Sequence, residues 1–219
     1  MTKTALLLDF GGVVSKTLFE THSDSERVLG LAAGTLTWRG PFDPTRDPLW
    51  QAMQRGDIHE HDYWTTRVRE TGALLGQSWT ALTDFTRRVR GADPNAAIRP
   101  EAITVLATLK ARGIRTAVLT NGLDHFYGAD VRGRMAVLAY MDEIVDATYT
   151  GVLKPDPRAY RLALDALQVI AADVLFVDDQ PEHTAGARAV GIDALNFDVT
   201  KPAESWAAIA RSFMPGVHQ

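Results

Sequence analysis

Three observations predict an α/β fold, a doubly wound parallel sheet with a helical cap inserted into it. Five short runs are continuously apolar: TALLLD (4–9), RTAVLT (115–120), EIVDAT (143–148), DVLFVD (173–178) and DALNF (193–197). Runs of this kind lack the alternation of a half-exposed strand, which implies a sheet covered on both faces. Helical patterns separate the later runs, and strand alternating with helix implies parallel pairing. About a hundred residues part the first run from the second, and they read as helices containing Trp38, Trp50, Trp64 and Trp79.

Each element has a local reason. The first run ends on Asp9 and enters a glycine turn, Gly11-Gly12. GDIHEHDYW (56–64) reads as a helix start, with Asp57 as N-cap and Glu60 three residues on. RGADPNAAIRP (90–100) reads as a return linker. PEAITVLATLKARG (100–113) has helical spacing and a stop at Gly113. PDPRAYRLALDAL (155–167) places Asp156 as N-cap and Pro157 at the first helical position. PEHTAGARAVG (181–191) ends on Gly191. The expected organisation is a core of residues 1–15 and 97–219, with residues 16–96 as the cap; the tryptophans would form the cap's own core.

Composition narrows the function. A net charge of -4 provides no basic footprint, which argues against a nucleic-acid partner. With no cysteine in the chain, thiol nucleophiles, disulfides and cysteine-based zinc sites are excluded. No apolar run approaches the ~20 residues of a membrane helix, and the apolar run at the N-terminus is too short for a signal peptide. The expectation is a soluble cytoplasmic protein that takes a small-molecule substrate.

In an open α/β sheet, ligands bind beyond the carboxyl ends of the strands. Read at those ends, the sequence delivers Asp9, then Thr120, Asn121 and Gly122 in LTNG, Lys154 in GVLKPDP, and Asp178-Asp179 in VDDQ. Carboxylates crowded at neighbouring strand ends repel, and a hard cation such as Mg²⁺ relieves that. Thr120, Asn121, Lys154 and the backbone N–H groups near Gly122 are suited to holding phosphoryl oxygens. Asp9 stands where it can serve as nucleophile or metal ligand.

These four segments, in this order, resemble the motifs of the haloacid dehalogenase (HAD) superfamily. The first motif resembles Asp9-Phe10-Gly11-Gly12-Val13; the second matches Thr120, the third Lys154-Pro155-Asp156-Pro157 and the fourth Asp178-Asp179. The resemblance implies a Rossmann-like core and a phosphatase using Mg²⁺ and an aspartyl-phosphate intermediate. It implies a metal held by Asp9, the Gly11 carbonyl, Asp178 and Asp179, with Asp9, Thr120 and Lys154 as catalytic groups. Two departures stand out. The family's second aspartate, the acid/base that serves the leaving group, is Gly11 here, and the Asn or Asp often found four residues beyond the paired aspartates is His183. General acid/base catalysis is worth about 10²–10⁴-fold. Its loss matters least for anomeric, acyl or aryl phosphates, so the expected substrate is a phosphorylated metabolite with a good leaving group, a sugar phosphate among them. A donor from the cap is the other solution, with Glu20, His22 and Asp24 as candidates; Trp38 and Arg39 are candidates for substrate contact.

Other readings compete. A 2-haloacid dehalogenase would keep Asp9 and attack carbon without metal, although members of that branch usually lose the paired aspartates. A non-catalytic phosphate-binding regulatory module is the third. DFG here has no kinase catalytic loop upstream, and G-x-G-x-x-G is absent. His59 and His61 with Glu60 and Asp62 suggest a metal cluster, yet helix positions two apart diverge, which favours an exposed helix start.

Overall fold

The computed structural model describes residues 3–214; positions 1–2 and 215–219 of the expected core lie outside the described residues. Five strands form one parallel sheet: β1 (Ala5–Leu8), β2 (Arg115–Thr120), β3 (Glu143–Asp146), β4 (Val174–Asp178) and β5 (Asp193–Asn196), in the order β3-β2-β1-β4-β5. The strand order reverses direction at β1 and β4, so the crevice of a doubly wound sheet opens at their carboxyl ends. Register there is tight: Leu8 pairs with Val177, and the Asp9 N–H donates to the Val177 carbonyl at 2.8 Å. The third apolar run stops short of Thr148 because the Asp146 carboxylate accepts the Thr148 N–H at 2.9 Å and starts a helical turn.

By chain contacts the protein divides into two units. One comprises the chain up to Lys16, Ile98–Leu123 and everything from Met135 onward; the other comprises Thr17–Ala97 and Asp124–Arg134. Residues 124–134 therefore group with the inserted helices rather than with the sheet, a departure from the boundaries read off the sequence. The longer helices of the inserted unit are α1 (His22–Leu29), α2 (Pro48–Gln54), α3 (Glu60–Leu74) and α4 (Leu82–Arg90). The sheet unit adds α5 (Pro100–Ala111), α6 (Pro157–Leu167), α7 (Pro181–Ala189) and α8 (Pro202–Phe213).

The central strands β1, β2 and β4 are covered on both faces, as their unalternating sequences require. The edge strand β5 is instead half-buried at Ala194 and Leu195 and exposed at both ends, unlike the buried strand expected there. Leu7, Leu119, Val145 and Phe176 pack with Ala159, Tyr160 and Ala163 of α6 and Ala187 of α7. The alternate positions, Leu6, Leu8, Val118 and Val177, are equally buried; α5 packs on β2 and α8 on α5. α6 starts as the sequence predicts, with the Asp156 carboxylate accepting the Arg158 N–H at 2.8 Å and Pro157 following.

The inserted unit has its own core. Phe19 stands among Trp38, Trp50 and Trp64, its ring centroid 5.3–5.5 Å from each. Trp79 and Phe85 join the same buried cluster. α3 begins later than the sequence predicts: His59 precedes the first turn, and its N–H donates to Asp62 at 3.2 Å. Asp57 pairs instead with Arg55 at 2.9 Å, because a carboxylate two residues from a guanidinium is met before the helix begins. Among the described residues, no helix is long and apolar enough to cross a membrane.

Candidate active site

Four of the sequence-selected side chains converge. Carboxylate oxygens of Asp9, Asp178 and Asp179 all lie within 4.8 Å of one another. The Lys154 Nζ donates to Asp9 Oδ1 at 2.7 Å and to Asp178 Oδ2 at 2.6 Å, with its side chain 1 % exposed. Burial alone would push the ammonium pKa down, but the two carboxylates overcome that and hold it above the ordinary lysine value. Asp178 responds reciprocally: burial pushes its pKa up, while Lys154 and the His183 ring draw it below the usual carboxylate range.

Asp178 has no exposed surface, and both its oxygens are engaged. Oδ1 accepts the Gln180 N–H at 2.8 Å, and the His183 Nδ1 lies 3.1 and 3.2 Å from Oδ1 and Oδ2. This arrangement makes Asp178 an anchor for Lys154 and His183 more than an open ligand. Asp9 and Asp179 are less enclosed. Three carboxylates against one ammonium leave a formal excess of two negative charges, which is the complement of a divalent cation. The donor set, all oxygen, fits a hard ion.

Asn121 does something the sequence did not reveal. Its Oδ1 accepts the Lys154 N–H at 2.7 Å and its Nδ2 donates to the Lys154 carbonyl at 3.2 Å. The side chain expected to hold a phosphoryl group is therefore committed to the backbone of the lysine. Thr120, 7 % exposed at the end of β2, accepts the Gly122 N–H at 3.4 Å through its hydroxyl.

Gly11 and Gly12 differ in kind. Gly12 has φ 79°, which favours glycine, whereas Gly11 has φ -70° and ψ 127°, ordinary for any residue. A Cβ placed on Gly11 would meet only Asp9 Oδ2, at 3.9 Å. The backbone at Gly11 and the space around a Cβ there both suit a residue with a side chain, so glycine at this position is a chemical difference rather than a conformational need.

The proposed donors from the helical insertion fare poorly. Glu20 accepts from the Thr17 N–H and hydroxyl at 2.7 and 2.9 Å, closing a local turn. Asp24 pairs with Arg27 at 3.0 Å on the surface. His22 is buried against Trp38, ring centroids 4.1 Å apart, and burial followed by the Arg39 charge lowers its pKa to about 4, so it is neutral at pH 7. Trp38 is buried in the core of the inserted unit, and Arg39 Nη1 lies 3.4 Å from the His22 ring. His59 and His61 are exposed, in keeping with a helix start.

A model of the haloacid dehalogenase-like hydrolases matches residues 5–191, a span that includes all four motifs. The chain belongs to that family. The (S)-2-haloacid dehalogenase 1 of a Pseudomonas species (strain CBS-3) is 32% identical over 161 residues, 72% of this chain and 67% of that protein. The phosphoglycolate phosphatase of Rhodospirillum rubrum is 37% identical over 100 residues, 44% of this chain and 40% of that protein, so this chain spans less than half of that relative. In fold, the HAD-hydrolase YfnB of Bacillus subtilis, solved bound to magnesium, superposes with a TM-score of 0.67 at 15% identity, covering 89% of this chain and 86% of the other. The protein is a hydrolase of the HAD-like family with an α/β, Rossmann-like core.

Proposed function

We propose that this HAD-like hydrolase is a phosphatase acting on a small phosphorylated metabolite with a good leaving group, with Asp9 as nucleophile and Mg²⁺ as cofactor. The observation that carries the reading is Lys154 held between Asp9 and Asp178 beside a third carboxylate. Lys154 holds Asp9 Oδ1, and Oδ2, which faces the Gly11 side, is the oxygen that attacks phosphorus. The P–O bond to the leaving group breaks and its electron pair departs with the alkoxide, aryloxide or hemiacetal oxygen. Water then attacks the phosphoryl group on Asp9, releasing phosphate and restoring the carboxylate. Asp9, Asp179 and the Gly11 carbonyl would hold Mg²⁺, with Asp178 behind them. Once bound, the ion supplies neutralisation of the charge that gathers on the transferring group.

Lys154 and the backbone N–H groups after Thr120 hold that group as charge develops, and Asn121 acts through Lys154. Nothing at position 11 can give the leaving group a proton, which confines fast turnover to oxygens that leave without one. The test is phosphate release from p-nitrophenyl phosphate with Mg²⁺, wild type beside Asp9→Asn. Turnover that vanishes in the variant and on chelation supports the proposal; turnover that survives both refutes it.

A second reading has a specific observation behind it: the 32% identity to a 2-haloacid dehalogenase extends over most of this chain, and Gly11 is compatible with both chemistries. There Asp9 attacks the carbon bearing the halogen, the C–halogen bond breaks, and halide leaves with the electron pair. Asp178-Asp179 weighs against it. Halide release from 2-chloropropionate in the presence of a chelator would establish it.

A further inference from the structure

Arg99 is buried to 2 % exposure, and the chemistry above makes no use of it. A buried guanidinium is costly unless its N–H groups are satisfied, so its partners reveal what it holds. Nε and Nη2 both donate to the carbonyl of Gly12, at 3.1 and 2.9 Å. The backbone N–H of Arg99 donates to the Val14 carbonyl at 3.0 Å, and the indole Nε1 of Trp206 donates to the Val13 carbonyl at 3.3 Å. Three successive carbonyls of the turn after Asp9 are thus gripped by donors from distant parts of the chain. The guanidinium also lies 5.5 Å from the centre of the Phe197 ring, which meets Trp206 edge-on at 6.1 Å.

The turn needs such a grip. Two adjacent glycines make the backbone directly after Asp9 the least self-restrained in the site, because glycine occupies both halves of φ space at little cost. Rotation of the Gly12 peptide planes would redirect the Gly11 carbonyl and the chain that carries Asp9. A forked guanidinium on one carbonyl resists that rotation better than a single donor, since its N–H groups are fixed in one plane. Arg99 sits well for this: Ile98 bridges antiparallel to Ser15, so the returning chain runs alongside the turn.

We propose that Arg99 is the positioning residue of the turn that follows Asp9, holding the Gly12 carbonyl so that the Asp9 carboxylate keeps its line of attack. The inference rests on Asp9 as the attacking group, which the phosphatase and dehalogenase readings share. A misplacement near 1 Å costs about 100-fold in rate, which sets the scale of the expected effect.

The experiment uses the full chain with Arg99→Lys, which keeps a cation but loses the fork, and Arg99→Gln, which keeps an N–H donor but loses the charge. Three quantities are read: kcat and KM for p-nitrophenyl phosphate, the melting temperature, and hydrogen exchange of the amides of residues 10–15 in metal-free protein. The expected result for both variants is a kcat lower by about 10- to 100-fold with KM changed by less than about threefold. Exchange should rise in residues 10–15 while β2 and β4 keep their protection. Wild-type kcat and exchange in both variants would overturn the proposal. So would exchange rising throughout the sheet unit in both, which would make Arg99 a general support of the fold. If the wild type hydrolyses neither p-nitrophenyl phosphate nor 2-chloropropionate, the failure belongs to the proposed function, and the local exchange alone decides the positioning role.

Discussion

Replacing Gly11 by aspartate tests why this chain dispenses with the family's second carboxylate. The backbone there has φ -70° and ψ 127°, so a side chain brings no conformational strain, and its Cβ would stand 3.9 Å from Asp9 Oδ2 with nothing else within 4 Å. The variant is expected to fold, with a melting temperature lowered near neutral pH by repulsion between the new carboxylate and Asp9. Its new carboxyl group would start from a Cβ beside Asp9 Oδ2, the oxygen other than the one Lys154 holds. Two like charges about 5 Å apart at an effective dielectric of 20 repel by about 3 kcal/mol. That corresponds to about two pKa units, a shift that favours the protonated form a general acid needs.

A positioned acid is worth about 10²–10⁴-fold where an alkoxide must leave, and little where the leaving oxygen is already stable. The assay is kcat/KM for glycerol phosphate and for p-nitrophenyl phosphate, wild type and variant, with Mg²⁺. Gly11→Asp should raise glycerol phosphate turnover by at least about tenfold and leave the aryl ester within about threefold. A variant that still melts cooperatively yet shows no gain on the alkyl ester would refute the leaving-group argument.

Three further outcomes follow from particular contacts. Asn121→Ala strips the Lys154 backbone of both its partners; turnover should fall by about 100-fold and stability by about 1–3 kcal/mol, read by kinetics and urea titration. Gly186→Ala would put a Cβ 2.8 Å from the Tyr160 hydroxyl and 2.9–3.0 Å from Pro155; overpacking of about 1–3 kcal/mol exceeds a helix gain of about 1 kcal/mol, so the melting temperature should fall, and turnover with it, because Pro155 follows Lys154. His22 has a folded pKa of about 4 against 6.5 in the ordinary state. The unfolded chain therefore binds its proton first, and stability should decline as pH falls from about 6.5 to 4, by up to about 3 kcal/mol. His22→Gln should flatten that decline in denaturant titrations at pH 7, 5.5 and 4.5, and an unchanged slope would sink the assignment.

What the sequence made legible depended on whether an interaction had a local signature. The central strands were readable because burial on both faces writes itself as unbroken apolar runs, and the convergence of Asp9, Lys154 and Asp178 followed from one rule about strand ends. Asp47 shows the opposite case. It has no exposed surface in the inserted unit, where it accepts from the Gly40 and Trp50 N–H groups at 3.0 Å, the Tyr63 hydroxyl at 2.8 Å and Arg67 at 2.5 Å. Burial raises its pKa, but these four donors overcome that and hold it below the usual value. Only the Trp50 bond is a helix cap with a sequence pattern; the others join positions brought together by the fold. Arg99 was overlooked, and Asn121 was selected for another role, for the same reason: each acts on backbone atoms, which every residue possesses and no sequence pattern distinguishes. Gly11 was noticed as a missing carboxylate, yet only its dihedral angles separate a glycine required by the turn from one that alters the chemistry. Gly12 is of the first kind and Gly11 of the second, and under the proposed phosphatase reading it is the second that sets which leaving groups the site can release.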